Sequence, residues 1–508
     1  VLTVSHCKGG LKMLSLLFLD DYLETDEAPE ITHANDIMLD KVLSAVTPDI
    51  RLQNAALKVL CKPLVGEHQI IYRREIAKDF LANKLSLSKM KELFRQFCNF
   101  KLEYQSRKKQ IYRLSSGQDG TTQMLDAVKL VQFGAYALKK QINLINDIHS
   151  LLCAAETTSC GINRIKQRVS VIVQSSDMHT LLEYAGIFEH YTLEETVHDM
   201  KFNIDESGKM SGLELSKVRT ELSKKPEAES LFSIFRKKKT EPLTEIKAQF
   251  NPNDNTLLIT NAIRDVTAAI EFVINSISDE FGGISDELMF YDFVMKYCEA
   301  LDKSGVAYCF PEFSNDTKIS GLYDLYLLFT RFDPSTVVPN GFVLKKDTKG
   351  ILIGGDNSSG KTVYLRSIAM AYIFTQAGLP IPANSAQVAL QNGLSIQMAS
   401  AEKTLRASDS VGRFEEEVIE LKDMINTISP NSLAFFNEIF QTTDYAEGAE
   451  GLYCILEYLN RKGIRWILVT HLTQLANMYS EQSSVRTLLM SSVEKYKVCN
   501  SKVVKRPS

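Results

Sequence analysis

The chain has 508 residues, with 58 Lys and Arg against 62 Asp and Glu and a formal net charge of −4 at pH 7. This length allows about three domains, and the charge balance excludes nucleic-acid binding through global basicity, so any such contact needs local basic patches. Nine cysteines without CxxC pairs indicate a reducing, cytoplasmic setting. The sequence has no run of about 18 apolar residues, which predicts that no segment spans a membrane.

Two apolar seams in the first part of the chain predict long helices. The first seam is Val128, Val131, Ala135, Leu138, Ile142 and Ile145, and the second is Ile263, Val266, Ile270, Val273 and Ile277. Their spacing places each set along one side of a helix. We expect one helix from about Met124 to Leu152 and a second that stops before Gly282-Gly283, with the two packed antiparallel.

The chain between the seams has a different character. From about Lys201 to Thr260, turn residues stand beside short apolar runs, which predicts strands and loops. The basic run in this segment is a candidate binding site for a phosphate backbone, and a solvated surface loop is the alternative. It consists of Arg236, Lys237, Lys238 and Lys239.

A glycine-bounded loop follows the apolar stretch Ile351 to Ile353 and fits the pattern Gly-x-x-x-x-Gly-Lys-Thr. Its residues are Gly355, Asp356, Asn357, Ser358, Ser359, Gly360, Lys361 and Thr362. In this pattern the backbone N–H groups cradle nucleotide phosphates, Lys361 reaches the β- and γ-phosphates, and Thr362 binds Mg²⁺. A helix is expected from Val363 to Phe374, and a plain glycine turn between two elements is the alternative interpretation.

Two downstream strands end in polar residues that suit the same chemistry. Leu433 to Phe436 predict a buried strand followed by Asn437 and Glu438. Glu438 is the candidate that polarises an attacking water, and Asn437 is a candidate Mg²⁺ ligand that offers an oxygen without a charge. The stretch "IRWILVTH" delivers His471 to a strand end, where it suits the γ-phosphate or the water, with a structural role as the alternative.

The order and spacing of several segments resemble the ATPase domain of the MutS family of DNA-repair ATPases. These segments are "VPNGFVL", "GDNSSGKTVYLRSIA", "AGLPIPANSAQ", "FFNEIFQTT" and "VTHLTQLA". The resemblance implies a multidomain fold: a mostly α-helical core at residues 1–123, long lever helices at 124–320 with a small clamp at about 197–260, and an α/β P-loop ATPase domain of the ABC type at 321–508.

The same resemblance implies ATP and Mg²⁺ as cofactors, DNA as a partner and a homodimer formed through the ATPase domain. The implied function is a clamp that couples ATP binding and hydrolysis to conformational change on DNA. The stretch "ASDSVGRFEEEV" matches the family's signature loop: Phe414 aligns, while Gly412 stands at the serine position. A match to the family's core that begins by about Leu57 implies that this chain does not by itself recognise mismatches, because the family's mismatch-reading domain precedes that core.

Three other interpretations stay open at this point. In a non-hydrolysing switch or scaffold, Asn437 and the altered signature leave ATP binding without turnover. A structural ATPase of the SMC or ABC kind is disfavoured because no Leu-Ser-Gly-Gly type of signature is present. An RNA- or ribosome-directed MutS-like ATPase is the third interpretation.

Overall fold

The structure is a computed structural model that describes residues 14–19, 29–31, 33–115, 120–190, 196–204, 210–220, 252–331, 333–398, 413–440, 445–491 and 496–500. It contains two compact units. The first is built mainly from Leu85–Thr157 and Ile162–Ser285, and the second from Leu16–Lys84, Thr158–Gly161 and Asp286–Ser508. The three-part division expected from the sequence stays a prediction.

The chain is mostly helical, with mixed sheets in its C-terminal half, which agrees with the multidomain fold that the resemblance implies. The helices are α1 Leu39–Val46, α2 Ile50–Leu60, α3 Glu67–Leu81, α4 Leu87–Ser115, α5 Gly120–Cys153, α6 Cys160–Val173, α7 Ser176–Glu189, α8 Pro252–Phe281, α9 Ile284–Ser304, α10 Leu325–Thr330, α11 Lys361–Gln376, α12 Arg413–Thr427, α13 Tyr445–Arg461 and α14 Thr473–Met478. The strands are β1 Thr196–Ile204, β2 Met210–Thr220, β3 Glu312–Phe313, β4 Thr317–Leu322, β5 Asn340–Leu344, β6 Gly350–Gly355, β7 Ser385–Val388, β8 Leu394–Met398, β9 Leu433–Asn437, β10 Arg465–Val469, β11 Val485–Ser491 and β12 Lys497–Asn500.

In the first unit, α5 and α8 confirm the two long helices predicted from the apolar seams, and the seam residues are all buried. The predicted antiparallel packing is wrong. Gly134 approaches Ile270, and seven residues further along α5 the Gln141 Nε2 donates to the Ile274 carbonyl at 3.0 Å and to Ser278 Oγ at 2.9 Å. As the residue numbers increase along α5, the numbers of the residues that they contact on α8 increase as well. The two helices therefore run parallel. The seams do not predict α6 and α7. These two helices lie between the seams in the chain, and the antiparallel prediction does not take them into account.

The segment between the seams contains an antiparallel hairpin of β1 and β2, in which Ile204 pairs with Met210. This confirms strands around "KFNIDESGKMSG". The strand-and-loop interpretation is wrong from Pro252 to Thr260, because this stretch is the beginning of α8. Proline suits a first helical position, where its missing N–H has no partner to lose. The basic run from Arg236 to Lys239 lies outside the described residues.

The second unit holds two sheets. A six-stranded sheet has the order β12-β11-β6-β10-β9-β8, and all neighbours in it are parallel except β12 and β11. A four-stranded sheet has the order β3-β7-β4-β5. Trp466, the only tryptophan, is fully buried on β10 beside Gly350 of β6, where a Cβ would lie 2.2 Å from the indole ring. Because the strands are parallel, the carboxyl ends of β6, β9 and β10 meet at one edge of the sheet.

A buried ion pair fixes α11 in this unit. The Arg366 guanidinium donates to both carboxylate oxygens of Asp324, at 2.8 Å from Nε and 2.7 Å from Nη2. The same carboxylate caps α10 by accepting from the Leu327 N–H at 2.8 Å. The helix that begins at Lys361 is therefore held from its second turn. Among the described helices, none is long and apolar enough to cross a membrane.

Candidate functional site

The loop that joins β6 to α11 requires glycine at both ends. Gly355 has a φ of 137° and Gly360 a φ of 93°, and residues other than glycine rarely adopt these backbone angles. A Cβ on Gly355 would lie 2.4 Å from the Met490 carbonyl oxygen of β11 and 3.1 Å from Ser359 Oγ. The neighbouring strand and the loop itself therefore leave no room for a side chain at Gly355. The predicted strand and the predicted helix on either side of the loop are confirmed.

Inside the loop, Asp356, Asn357 and Ser358 are exposed, whereas Ser359 is fully buried. Its hydroxyl oxygen has no hydrogen-bond partner among the described residues. A buried hydroxyl without a partner costs free energy. The loop therefore holds an unused donor at a place where backbone N–H groups and the positive end of the α11 dipole also favour an anion.

Lys361 folds back across this loop. Its side chain is 5% exposed, and Nζ donates to the carbonyls of Gly355 at 3.0 Å and Asp356 at 2.9 Å. Burial lowers the pKa of the ammonium group, and the nearby carboxylates of Glu438 and Asp356 oppose that effect. Among the described residues, the ammonium group donates to two neutral carbonyls, which it can exchange for the oxygens of an anion.

Next to the loop, the first turn of α11 meets the end of β9. Thr362 Oγ1 donates to Asn437 Oδ1 at 3.0 Å, and Asn437 is 5% exposed. Hydroxyl and amide oxygens are hard ligands of the kind that Mg²⁺ prefers. In the described part of the chain, no group of three or more His, Cys, Asp or Glu is arranged to hold a metal ion. The two oxygens of Thr362 and Asn437 are candidate metal ligands.

Glu438 and His471 come together at the same sheet edge. Asn437 of β9 pairs with Val469 of β10, so the residues that follow these two strands are neighbours. His471 Nε2 lies 2.9 Å from Glu438 Oε1, and both side chains are about a quarter to a third exposed. Glu438 has a φ of 55°, and its N–H donates to the Val469 carbonyl at 2.9 Å. The structure thus places a carboxylate with an imidazole partner beside the glycine loop.

Two residues at this edge carried no signal in the sequence. Glu417 of α12 accepts through Oε2 from the Phe440 N–H at 2.8 Å, where Phe440 has a φ of 64°. Tyr496 lies beside Gly360 at the start of β12. Both contacts join positions far apart in the chain, which no local pattern encodes. Of the predicted signature loop, Gly412 lies outside the described residues, and Phe414 is described only as part of the α12 backbone.

The sheet, the glycine loop and the helix after it form an α/β arrangement whose strand–loop–helix turn is a candidate anion site. A family model described as MutS domain V matches residues 351–505, which includes this loop and the ends of β9 and β10.

Curated relatives match part of the chain. The DNA mismatch repair protein MutS of Granulibacter bethesdensis is 28% identical over 205 residues, which are 40% of this chain and 22% of that protein. The endonuclease MutS2 of Acetivibrio thermocellus is 29% identical over 220 residues, 41% of this chain and 26% of the relative. The endonuclease MutS2 of a Geobacillus strain is 31% identical over 144 residues, 28% and 18% of the two chains. The matched region spans about a quarter or less of each relative, and residues 351–505 of this chain are similar to MutS domain V.

Proposed function

We propose that this chain is a Mg²⁺-dependent ATPase of the MutS type that works on DNA. The observation that carries the proposal is the meeting of three features at one sheet edge: the glycine loop with Lys361, the Thr362–Asn437 oxygen pair, and the Glu438–His471 pair. Each feature corresponds to one requirement of phosphoryl transfer, namely phosphate binding, a metal ligand set and a base for water.

The loop residues fit a triphosphate. The unpaired Ser359 hydroxyl and the N–H groups at the start of α11 donate to phosphate oxygens, and Lys361 exchanges its two carbonyl acceptors for the β- and γ-phosphates. The positive φ values of Gly355 and Gly360 turn the loop so that its backbone N–H groups can face the phosphates. These residues bind and orient the substrate.

The oxygens of Thr362 and Asn437 fit Mg²⁺, which supplies neutralisation of phosphate charge when it is bound. Asn437 contributes an oxygen without a negative charge, so the ligand set is weaker than one that contains a carboxylate.

Glu438 takes a proton from the attacking water, and His471 holds the carboxylate by donating from Nε2. Because the imidazole occupies Oε1, the second carboxylate oxygen is the one that faces water. The left-handed backbone at Glu438, fixed by the bond from its N–H to Val469, sets the direction of the side chain.

A steady-state ATPase assay with Mg²⁺ tests this function. Glu438→Gln is expected to keep ATP binding and to slow hydrolysis about 10²-fold or more, because a general base contributes about 10²–10⁴. Gln at position 438 still accepts a hydrogen bond from His471, so the change removes basicity rather than geometry. The matched control is Glu450→Gln, an exposed carboxylate on α13. Equal rates for wild type and Glu438→Gln would refute the assignment of the base.

A non-hydrolysing switch is the second candidate, and the neutral Asn437 favours it, because the weaker metal site limits turnover. The same assay separates the two functions: tight ATP binding with no Mg²⁺-dependent phosphate release identifies the switch.

DNA is the proposed nucleic-acid partner, because one relative is named a DNA mismatch repair protein and another an endonuclease. The test is the ATPase rate measured side by side with mismatched duplex, branched DNA, homoduplex and structured RNA. Stimulation by RNA alone would replace DNA with RNA as the target. Dimerisation through the ATPase region predicts that the apparent molecular mass in solution rises when ATP is added to Glu438→Gln.

A further inference from the structure

Tyr496 borders the glycine loop at the end nearest to α11. Its Cδ1 atom lies 3.7 Å, and its Cβ atom 3.9 Å, from the position that a Cβ on Gly360 would take. The Met490 Cε atom lies 3.5 Å from the same position. An aromatic ring therefore covers the side of Gly360, the last residue before the lysine of the loop.

The backbone at Tyr496 is held in an unfavourable conformation. Its φ is 61°, in the left-handed region that bulky residues rarely adopt. Three bonds hold it there: its N–H donates to the Ser491 carbonyl at 3.0 Å, its carbonyl accepts from Asn340 Nδ2 at 3.2 Å, and the Val498 N–H donates to Asn340 Oδ1 at 3.1 Å. The hairpin of β11 and β12 and the amide of β5 thus fix the ring beside the loop.

Packing in the protein core does not account for this arrangement. The Tyr496 side chain remains 49% exposed, so about half of a large apolar surface faces solvent at a position of backbone strain. Strained residues persist where the surrounding structure holds them, and they are common at ligand sites. A flat apolar ligand bound at the mouth of the loop would cover this exposed aromatic surface.

The nucleobase of a bound nucleotide has that shape. Phosphates held by the loop lie along residues 356 to 362, so the ribose and base continue from the α-phosphate at the helix end, which Gly360 forms and Tyr496 borders. An aromatic side chain stacked on a base strengthens binding and tolerates different bases, because every base has a π-face.

We propose that Tyr496 stacks on the base of the nucleotide and makes the site select a nucleoside triphosphate over a bare polyphosphate. This inference rests on the proposed function, namely that the loop binds a triphosphate. Stacking uses the face of the base and reads no edge, so ATP and GTP gain similarly from the ring. Tyr496 is thus a residue that determines specificity and takes no part in the cleavage step.

Calorimetry on the full chain with Mg²⁺ tests the inference with three ligands: ATP, GTP and inorganic tripolyphosphate. The variants are Tyr496→Asn and Tyr496→Phe. Asparagine tolerates a positive φ, so it removes the ring and keeps the backbone conformation. Tyr458→Ala, which removes an exposed tyrosine of α13, is the control. Tripolyphosphate binding shows in each variant whether the loop is intact.

We expect Tyr496→Asn to weaken ATP and GTP about tenfold and to leave tripolyphosphate unchanged, whereas Tyr496→Phe and the control bind all three ligands like wild type. Unchanged ATP affinity in Tyr496→Asn overturns the stacking role while the loop assignment stands. A parallel loss of tripolyphosphate affinity also overturns it, because the ring would then support the loop rather than the base. If wild type binds none of the ligands, the proposed function itself fails.

Discussion

The buried pair of Asp324 and Arg366 allows a prediction of stability with a worked magnitude. Asp324 is 3% exposed and Arg366 is 7% exposed, and the carboxylate accepts two bonds from the guanidinium and one from the Leu327 N–H. Asp324→Ala leaves a buried cation without its partner, which costs about 3–5 kcal/mol. It also removes the cap of α10, which costs about 1 kcal/mol. The Arg366 guanidinium keeps its contact over the Tyr326 ring at 4.7 Å, so we expect a loss of about 4 kcal/mol.

Removing both partners is expected to be less harmful than removing one. Arg366→Met alone leaves the Asp324 carboxylate buried with one bond and costs about 3 kcal/mol. In the double variant no buried charge remains, so the loss falls to about 1–2 kcal/mol, mainly the lost cap. Asp333→Ala is the control for the cap alone, since Asp333 accepts from the Ser335 N–H at 3.0 Å at an exposed site.

Trp466 makes the measurement specific to the second unit. It is the only tryptophan of the chain, and it is fully buried in the same unit as the ion pair, so its fluorescence during urea unfolding follows this unit. The shift in midpoint, multiplied by the denaturant slope, gives the change in unfolding free energy. A loss below about 1 kcal/mol for Asp324→Ala, or a double variant that loses the sum of about 7 kcal/mol, would refute the reasoning about the uncompensated charge.

Three further predictions concern the loop, the metal ligands and the second unit. Lys361→Ala removes a charge-assisted contact worth about 1.5–3 kcal/mol, so ATP affinity by calorimetry should fall by roughly 10- to 100-fold; unchanged affinity contradicts the role of the loop. Asn437→Asp adds a negative charge beside Thr362 and should tighten Mg²⁺ binding in a metal titration, and an identical titration leaves Asn437 without this role. Burial alone would raise the pKa of Asp79, but hydrogen bonds from Ser159 and Thr158 outweigh this effect, and the pKa is lowered. The carboxylate therefore stabilises the fold above pH about 4, and this contribution disappears as the pH falls through the lowered pKa. Asp79→Asn should therefore cost about 2–3 kcal/mol at pH 7 and make stability less dependent on pH below 4 than in wild type, which the Trp466 fluorescence midpoint measures at both pH values.

The sequence was informative where the structure depends on neighbours in the chain. The strand, loop and helix around Gly355 follow one another within about 25 residues, and their apolar runs and glycines predict each element. Leu433 to Asn437 and the strand before His471 are short apolar runs ended by polar residues, and both were predicted correctly. Parallel pairing of β6, β10 and β9 then brings their ends together, so the candidate site could be foreseen without any contact being known.

The sequence was uninformative where a contact joins distant segments. A seam shows which side of α5 is buried, but the same apolar residues fit a parallel or an antiparallel neighbour, and only the Gly134–Ile270 and Gln141–Ser278 contacts distinguish the two. The position of Tyr496 depends on Asn340, more than a hundred residues earlier in the chain. Neither periodicity nor a motif records such a pairing.

Asn437 shows how charge and geometry separate at this site. From the sequence, an amide in place of a carboxylate indicates a weakened metal site. In the structure, the amide oxygen still accepts the bond from Thr362 Oγ1 that a carboxylate oxygen would accept, so the first turn of α11 and the end of β9 stay joined without a negative charge. The alignment of Lys361 and Glu438 on either side of this bond therefore needs an oxygen at position 437, whereas metal affinity needs the charge as well. In the function proposed above, the loop and Lys361 bind the triphosphate and hydrolysis depends on metal concentration. A measured dependence of the hydrolysis rate on Mg²⁺ would distinguish a slow ATPase from a nucleotide switch.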